Sequence, residues 1–511
     1  MKKSRIYNST LNISVGLIYK ILVLVLNFVS RSIFITVLGI DYLGVNGLFT
    51  NILSVLSLAE MGVGTALIYS MYKPLAENNK TKLAALINYY KSIYTNIGII
   101  VTIVGIAMIP FLDILIRLDT PIDNLKLYYV LFLLNSVVSY FFVYRTSIVI
   151  ADQKDYKLKI YQMIFSVIQV TGQIIILLTT KNYVLYLLIQ IICGILVNVV
   201  SASQASKLYP YIKDNYKLEK DEKVAIWTNI KSFLYYRVGG VILNNTDNIL
   251  ISIIVGTSMV GVYSNYNMII VQVTGFTSII FSSLQASFGN LNSESDVEKS
   301  YNVFEAVNLL SFWIYGFCSV CFIVLFQDFI VLWIGDKFLL SKAVVIAAVC
   351  TFYLQGMLYP IWLYRETTGL FKYTKYTMVY ASIINLVLSI VLGLKFGVFG
   401  ILFATVIARI CTNIWFEPLK LHRIFFKKSS RRYFTKQIIN LFLLVIVIII
   451  TEILSNYLML SNNIFNFVLK AILCIIIPNI IFFIVFRKSK EEIKEIAVAG
   501  AELLKKLADE T

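Results

Sequence analysis

An all-α polytopic membrane fold of about fourteen transmembrane helices is what the sequence predicts, on three observations. The 511-residue chain is 59% hydrophobic and only 14% charged, with a mean hydropathy of +0.79, a composition foreign to water-soluble domains. Fourteen apolar runs reach the roughly 17 to 25 residues that a helix needs to cross a bilayer. The 45 Lys and Arg gather in the short segments between those runs, on alternate sides.

The runs fall at approximately 11–37, 44–71, 92–116, 127–150, 160–180, 183–205, 232–255, 260–288, 303–332, 343–364, 377–394, 397–419, 437–457 and 464–486. Lys2, Lys3 and Arg5 before the first run resemble the basic region of a signal peptide. The run continues to Val37 without an A-x-A site, so it reads as a retained helix. Runs five and six are separated only by Lys181 and Asn182, a tight turn. With the amino terminus in the cytoplasm, the inner segments carry 34 Lys and Arg and the outer loops 6, which places both termini inside. No outer loop exceeds about a dozen residues, so the expected soluble pieces are all inner ones.

Lys20, Asn27 and Arg31 in the first run are repeated at an offset of 217 by Arg237, Asn244 and Asn248 in the seventh. Steps of 7 and 11 residues return an α-helix to within about 20° of its starting face, so each triplet lines one side of one helix. At the same offset LGIDYLGV (Leu38 to Val45) meets VGTSMVGV (Val255 to Val262), pairing Gly39 with Gly256 and Gly44 with Gly261. Lys154 and Lys157 meet Lys372 and Lys375 at an offset of 218. An even number of spans per repeat gives halves of parallel topology, related by a pseudo-two-fold axis along the membrane normal. The expected organisation is an N-terminal lobe at 1–206, an inter-lobe loop at 207–231, a C-terminal lobe at 232–420, a basic loop at 421–436, two extra helices at 437–486 and a tail at 487–511. In the tail, Ile493, Ile496, Gly500, Leu503 and Leu507 recur among charges, suggesting an amphipathic helix on the inner surface, with a solvated tail as the open alternative.

A cation in hydrocarbon costs on the order of 2.5 to 3.5 kcal/mol at a helix centre, so charges within spans are functional candidates by default. They are Lys20, Arg31, Glu60, Arg237, Asp247, Arg409, Glu452 and Lys470. Glu452 and Lys470 lie at matched depth in the last two spans and are expected to form a structural ion pair. Asp113, Arg145, Glu305 and Asp328 lie near span ends and read as solvated. The remaining four cations, Lys20, Arg31, Arg237 and Arg409, outnumber the acids Glu60 and Asp247 and point to a cavity that attracts an anion. Arginine suits phosphate because its planar fork donates two parallel hydrogen bonds. Asn27, Asn244 and Asn248 are candidate cavity lining, and Asp247 and Glu60 candidates for ion or proton coupling. Simple helix–helix pairing of all six charges is the competing reading.

Absences narrow the field. No G-x-x-x-x-G-K-[ST] occurs, and Gly39-x4-Gly44 is followed by Val45 and Asn46, so there is no P-loop. His422 is the only histidine, which disfavours a histidine metal site or catalytic dyad. The six cysteines lie in or beside apolar runs and read as free thiols, including Cys318-x-x-Cys321. The net charge of +17 is explained by inner loops rather than by nucleic acid, and no metal or other cofactor is expected.

The segment LGVNGLFTNILSVLSLAEMGVGTALIYSMYKPLAENN (Leu43 to Asn79), preceded by the Arg31-bearing run and LGIDYLG, resembles the start of bacterial polysaccharide flippases. These are the O-antigen and capsule repeat-unit transporters of the multidrug/oligosaccharidyl-lipid/polysaccharide (MOP) exporter superfamily. The resemblance is strongest over the first 160 residues or so. It implies two six-helix lobes around a cationic cavity in the bacterial plasma membrane, and alternating access that moves an undecaprenyl-pyrophosphate-linked oligosaccharide outward. Arg31, Lys20, Arg237 and Arg409 would neutralise the pyrophosphate, by residue type and depth. It further implies a monomer among membrane lipids, with a polymerase and glycosyltransferases as pathway partners and no catalysis of its own.

Two other classes stay open at this stage. A drug or cation exporter of the same superfamily would be expected to use acidic cavity groups, against the four-to-two cation excess. A membrane polymerase or glycosyltransferase would generally present a sizeable outer loop.

Overall fold

The computed structural model describes residues 2–60, 63–118, 121–293, 297–368, 370–458 and 462–487. Side chains at some further helical positions, Arg237 and Lys372 among them, lie outside that description, as does the tail from 488 onward with its expected amphipathic helix. Among the described residues the chain is helical throughout, with no strand. Among the described residues nine helices are long and apolar enough to cross a membrane, or ten if Leu125–Phe141 and Val143–Ala151, inclined at 52°, form one bent span. The polytopic all-α fold is therefore as expected. Dozens of large apolar side chains stand exposed on its helices, among them Ile103, Leu178, Phe442 and Phe465, as surfaces that face lipid do.

The chain divides into two compact units, one running to Gly261 and the other from Val262. The first contains α1 (Lys2–Leu38), α2 (Ile40–Leu56), α3 (Val63–Ala76), α4 (Lys80–Ala107), α5 (Leu112–Leu115), α6 (Leu125–Val138), α7 (Val143–Ala151), α8 (Tyr156–Thr180), α9 (Tyr183–Leu208) and α10 (Lys220–Ile254). The Lys181–Asn182 turn is as tight as expected. Lys181 takes a left-handed conformation at φ 53°, and the Asn182 side chain caps α9 by accepting from the Leu185 amide at 3.2 Å. Asn79 caps α4 in the same way, through the Lys82 amide. The expected second span is broken: α2 stops at Leu56, a 3₁₀ turn covers Ser57–Glu60, and α3 starts at Val63. Helix α10, which carries the second copy of the polar stripe, packs on α2 and α3 within this unit.

The second unit contains most of α11 (Thr257–Ser293), then α12 (Val297–Ile334), α13 (Lys342–Thr368), α14 (Phe371–Thr374), α15 (Thr377–Cys411), α16 (Asn413–Leu421), α17 (Arg431–Tyr457) and α18 (Asn463–Phe486). α15 is two spans folded into a hairpin. Gly397 turns the backbone at φ 59° and ψ −137°, and a Cβ on Gly400 would lie 2.1 Å from the Leu392 carbonyl oxygen. Across the hairpin Asn385 Nδ2 donates to Thr405 Oγ1 at 2.8 Å, a pair that one straight helix would hold about 30 Å apart. Both residues are buried, so each amide or hydroxyl satisfied here removes a polar group from hydrocarbon.

The last two helices pack on α12 and on each other. Trp313 Nε1 donates to Asn479 Oδ1 at 2.8 Å, and Lys436 of α17 pairs with Glu305 of α12. Glu305 is therefore not solvated as its position near a span end suggests: it is 6% exposed and also accepts from the Tyr301 hydroxyl at 2.9 Å. The expected Glu452–Lys470 ion pair does not form either. Glu452 pairs with Lys342 at the start of α13, and Lys470 with Asp328 of α12 at 2.7 Å. Matched depth along two helices says nothing about rotation around their axes, and here each charge meets a partner on another helix. The two actual pairs differ in burial. Glu452→Ala is expected to cost less than about 1 kcal/mol, because its partner Lys342 is 58% exposed. Lys470→Ala is expected to cost on the order of 3 kcal/mol, because a side chain only 7% exposed leaves Asp328 without its cation. Unfolding midpoints of the two purified variants check the order, and equal losses would contradict it.

Candidate functional site

The first unit gathers most of the polar candidates. On α1, Arg31 is half-buried and lies beside Tyr186 of α9, close enough for the two to interact electrostatically. The position is built from the sequence outward. Phe34, one turn further along α1, meets the Tyr186 ring edge-on at 5.3 Å, and Tyr183 stacks on the same ring at 5.8 Å. The Tyr186 hydroxyl is further engaged by Ser30, the neighbour of Arg31. Tyr42 of α2 and Tyr128 of α6 close around Tyr183 at 5.2 and 4.8 Å, so four helices hold this aromatic shell. Lys20, eleven residues earlier on α1, lies half-buried near Lys159 of α8, and Asn27 between them is also half-buried.

Glu60 sits on the 3₁₀ turn between α2 and α3. The Tyr140 hydroxyl reaches both the Glu60 carboxyl and Ser57 Oγ, the latter at 3.2 Å, and Tyr94 of α4 stands near the same carboxyl. Tyr140 and Tyr94 are 2% and 1% exposed, so an acid at a helix break is enclosed by phenols. Discontinuous helices in membranes occur where the freed backbone is enclosed by protein or lines a polar cavity.

On α10, Asn244 is exposed and donates to the Gly240 carbonyl of its own helix at 2.7 Å. Asp247 is half-buried, and Asn248 is buried with its Oδ1 unpartnered among the described residues. Arg237 is on the same helix, its side chain outside the description.

Arg409 belongs to the second unit. At 1% exposure it is among the largest fully buried side chains, at the end of α15. It acts on Glu417 of α16, a carboxylate that also pairs with Arg365 of α13 at 3.3 Å and accepts from Asn413 Nδ2 at 2.7 Å. Two cations, one acid and an amide thus share one buried cluster. Sequence reasoning did not single out Glu417, although it lies inside the expected twelfth span. Asn413 and Glu417, four residues apart, share one side of α16, and the break at Thr412 brings Arg409 of α15 to them. Among the described residues no three His, Cys, Asp or Glu side chains converge as metal ligands, and all six cysteines are free.

Comparison with solved structures defines the class of fold. The lipid II flippase MurJ in its inward closed conformation superposes with a TM-score of 0.65 at 16% identity, over 92% of this chain and 99% of that one. A mutant of the Vibrio cholerae MATE transporter VcmN gives 0.58 at 12% identity, over 83% and 99%. A MOP superfamily transporter from Pyrococcus furiosus, described through the reversed polarity of its binding pocket, gives 0.54 at 15%, over 84% and 97%. The chain is similar to these in fold along nearly its whole length. No protein-family model and no curated protein matches the sequence.

Proposed function

We propose that the chain is a flippase of the MOP exporter superfamily that carries an undecaprenyl-pyrophosphate-linked oligosaccharide repeat unit across the bacterial plasma membrane for cell-surface polysaccharide synthesis. The observation that carries the reading is Arg31, a permanent cation kept within an apolar helix and set beside Tyr186 by an aromatic shell. A guanidinium so placed is matched to an anion with several acceptor oxygens, as a pyrophosphate is. Lys20 and Arg237 supply further positive charge along the route, and Asn27, Asn244 and Asn248 hydrogen-bonding groups for sugar hydroxyls; Arg409, expected to share that task, is instead buried at 1% exposure beside Glu417. The fold shared with MurJ, a lipid II flippase, supports a lipid-linked substrate.

On this reading residues 1–206 and 232–420 form the two lobes and 437–486 the added pair. Both termini face the cytoplasm, and the protein works as a monomer that receives its substrate from glycosyltransferases and passes it to a polymerase. Asp247 and Glu60 are the coupling acids. The phenol enclosure of Glu60 supports that role, because neutral partners let a carboxyl gain or lose a proton without breaking an ion pair. The likeness to MATE transporters favours a second reading, export of a small cationic molecule, for which Glu60 and Asp247 would be the binding groups.

Depletion separates the two. In a cell whose surface polymer needs this chain, its loss is expected to leave lipid-linked repeat units accumulating on the inner leaflet. Normal levels of those units, with new sensitivity to cationic drugs instead, would replace the flippase by the exporter.

A further inference from the structure

The two sequence blocks that repeat at an offset of 217 are folded onto each other within the first unit. A Cβ on Gly44 would lie 2.1 Å from the carbonyl oxygen of Thr257, and a Cβ on Gly261 would lie 2.6 Å from that of Ile40. Thr257 is the repeat equivalent of Ile40, and Gly261 that of Gly44. So position 44 meets the partner of position 40, and the partner of 44 meets 40. That reciprocity is the signature of a two-fold axis: only elements on the axis touch their own equivalents in this crossed way. The Gly261 Cβ would also lie 3.0 Å from the amide nitrogen of Gly44, its own equivalent. The axis therefore passes through the crossing of α2 with the start of α11. Only glycine at both places lets two helix backbones come so close.

A hydrogen bond joins two equivalent residues across this axis. Ser258 Oγ donates to Asp41 Oδ1, and the two positions are 217 apart. Had the repeat kept an acid in both copies, two carboxylates would face each other across the axis and repel. The second copy has a serine instead, and the repulsion becomes a hydrogen bond. From the other side the same turn is clasped by the end of the third span, where the Thr257 amide donates to the Arg117 carbonyl at 2.8 Å and the Arg117 amide to Thr257 Oγ1 at 3.1 Å. The backbones meet at glycines with the Ile40 side chain packed beside them, and water can take over the hydrogen bonds of Asp41, Ser258 and Thr257 when they part.

We infer that this crossing is a two-fold latch that closes the outer end of the transport pathway, with the Asp41–Ser258 bond as one of its fastenings, released each time substrate leaves outward. The inference rests on the flippase reading, since the outer position of the turn and the need to open both follow from it. The symmetry makes a specific demand: exchanging the two residues rebuilds the same bond from the opposite side of the axis.

Three variants test it in cells that depend on the chain for export. Ser258→Asp places two acids on the axis and is expected to lower export at least tenfold at neutral pH. The exchange Asp41→Ser with Ser258→Asp is expected to restore export to within twofold of the parent. In Asp41→Cys with Ser258→Cys, oxidation with copper phenanthroline is expected to cross-link the pair and stop export, and reductant to restore it, while either single cysteine variant is unaffected by the oxidant. Cross-linked protein that exports at the parental rate would overturn the latch, as would an exchange variant that is made in normal amount and exports no better than Ser258→Asp. Latch closure also has a readout apart from export. A cysteine placed at Asn244 is expected to react with a membrane-impermeant maleimide from outside, above the background of the parent chain, and to be protected by the cross-link; unchanged labelling would again overturn the latch. If the parent chain itself moved no lipid-linked sugar, the functional reading would fall and the labelling result would still decide the latch.

Discussion

Glu417→Ala is expected to lower the stability of the purified protein by about 3 to 5 kcal/mol, the usual loss when one member of a buried ion pair is removed. The carboxylate is 1% exposed and is the acid of a cluster in which Arg365 lies at 3.3 Å and Arg409 acts on the same group. Deleting it leaves two guanidinium groups, 6% and 1% exposed, without that negative charge. Asn413 loses its acceptor at 2.7 Å at the same time. The cost therefore comes from what remains and not from the strength of the pair itself. A replacement that also removes one of the two cations, Glu417→Leu with Arg365→Met, is expected to recover part of the loss, since Arg409 remains. Thermal unfolding in detergent, followed by a thiol-reactive dye or by loss of the monodisperse peak, measures both. A Glu417→Ala protein with a parental unfolding midpoint would mean that the cluster carries no structural weight.

Arg31→Ala is the substitution with the largest expected effect on activity. Hydrogen bonds to a charged group contribute on the order of 1.5 to 3 kcal/mol, so losing the guanidinium is expected to slow export of lipid-linked repeat units by roughly 10- to 100-fold. Arg31→Lys keeps the charge and loses the planar fork, and an intermediate rate is expected of it. The variant is expected to fold, since Phe34, Tyr183 and Tyr186 pack on one another without the guanidinium. Radiolabelled or mass-resolved lipid-linked sugars on the inner leaflet give the readout, with protein level as the control. Parental export from Arg31→Ala at a normal protein level would remove Arg31 from the substrate path and take away the observation on which the proposed function rests.

The two substitutions differ in how far the sequence foresaw them. Arg31 was legible because a cation inside a long apolar run is conspicuous, and because its spacing from Lys20 and Asn27 repeats 217 residues later. Glu417 was not, because the apolar run around it ends nearby and an acid at a run end reads as solvated. Glu305 was missed for the same reason, although it is buried against Lys436 and Tyr301. Hydropathy measures the average environment of a window and cannot see a partner brought from a distant helix.

What the sequence by itself determined is everything governed by transfer of a local segment from water to hydrocarbon. The polytopic all-α fold and the two-residue turn at Lys181 and Asn182 follow from composition and spacing along the chain. The tertiary structure alone decided rotation about each helix axis and the pairing of distant segments. It sent Glu452 to Lys342 and Lys470 to Asp328, broke the second span at Ser57–Glu60, and brought Ile40, Asp41 and Gly44 against Thr257, Ser258 and Gly261. The physical reason is that a helix satisfies its backbone internally whichever way it faces. Its neighbours are chosen only by side-chain packing and charge, which act between residues that the sequence keeps far apart.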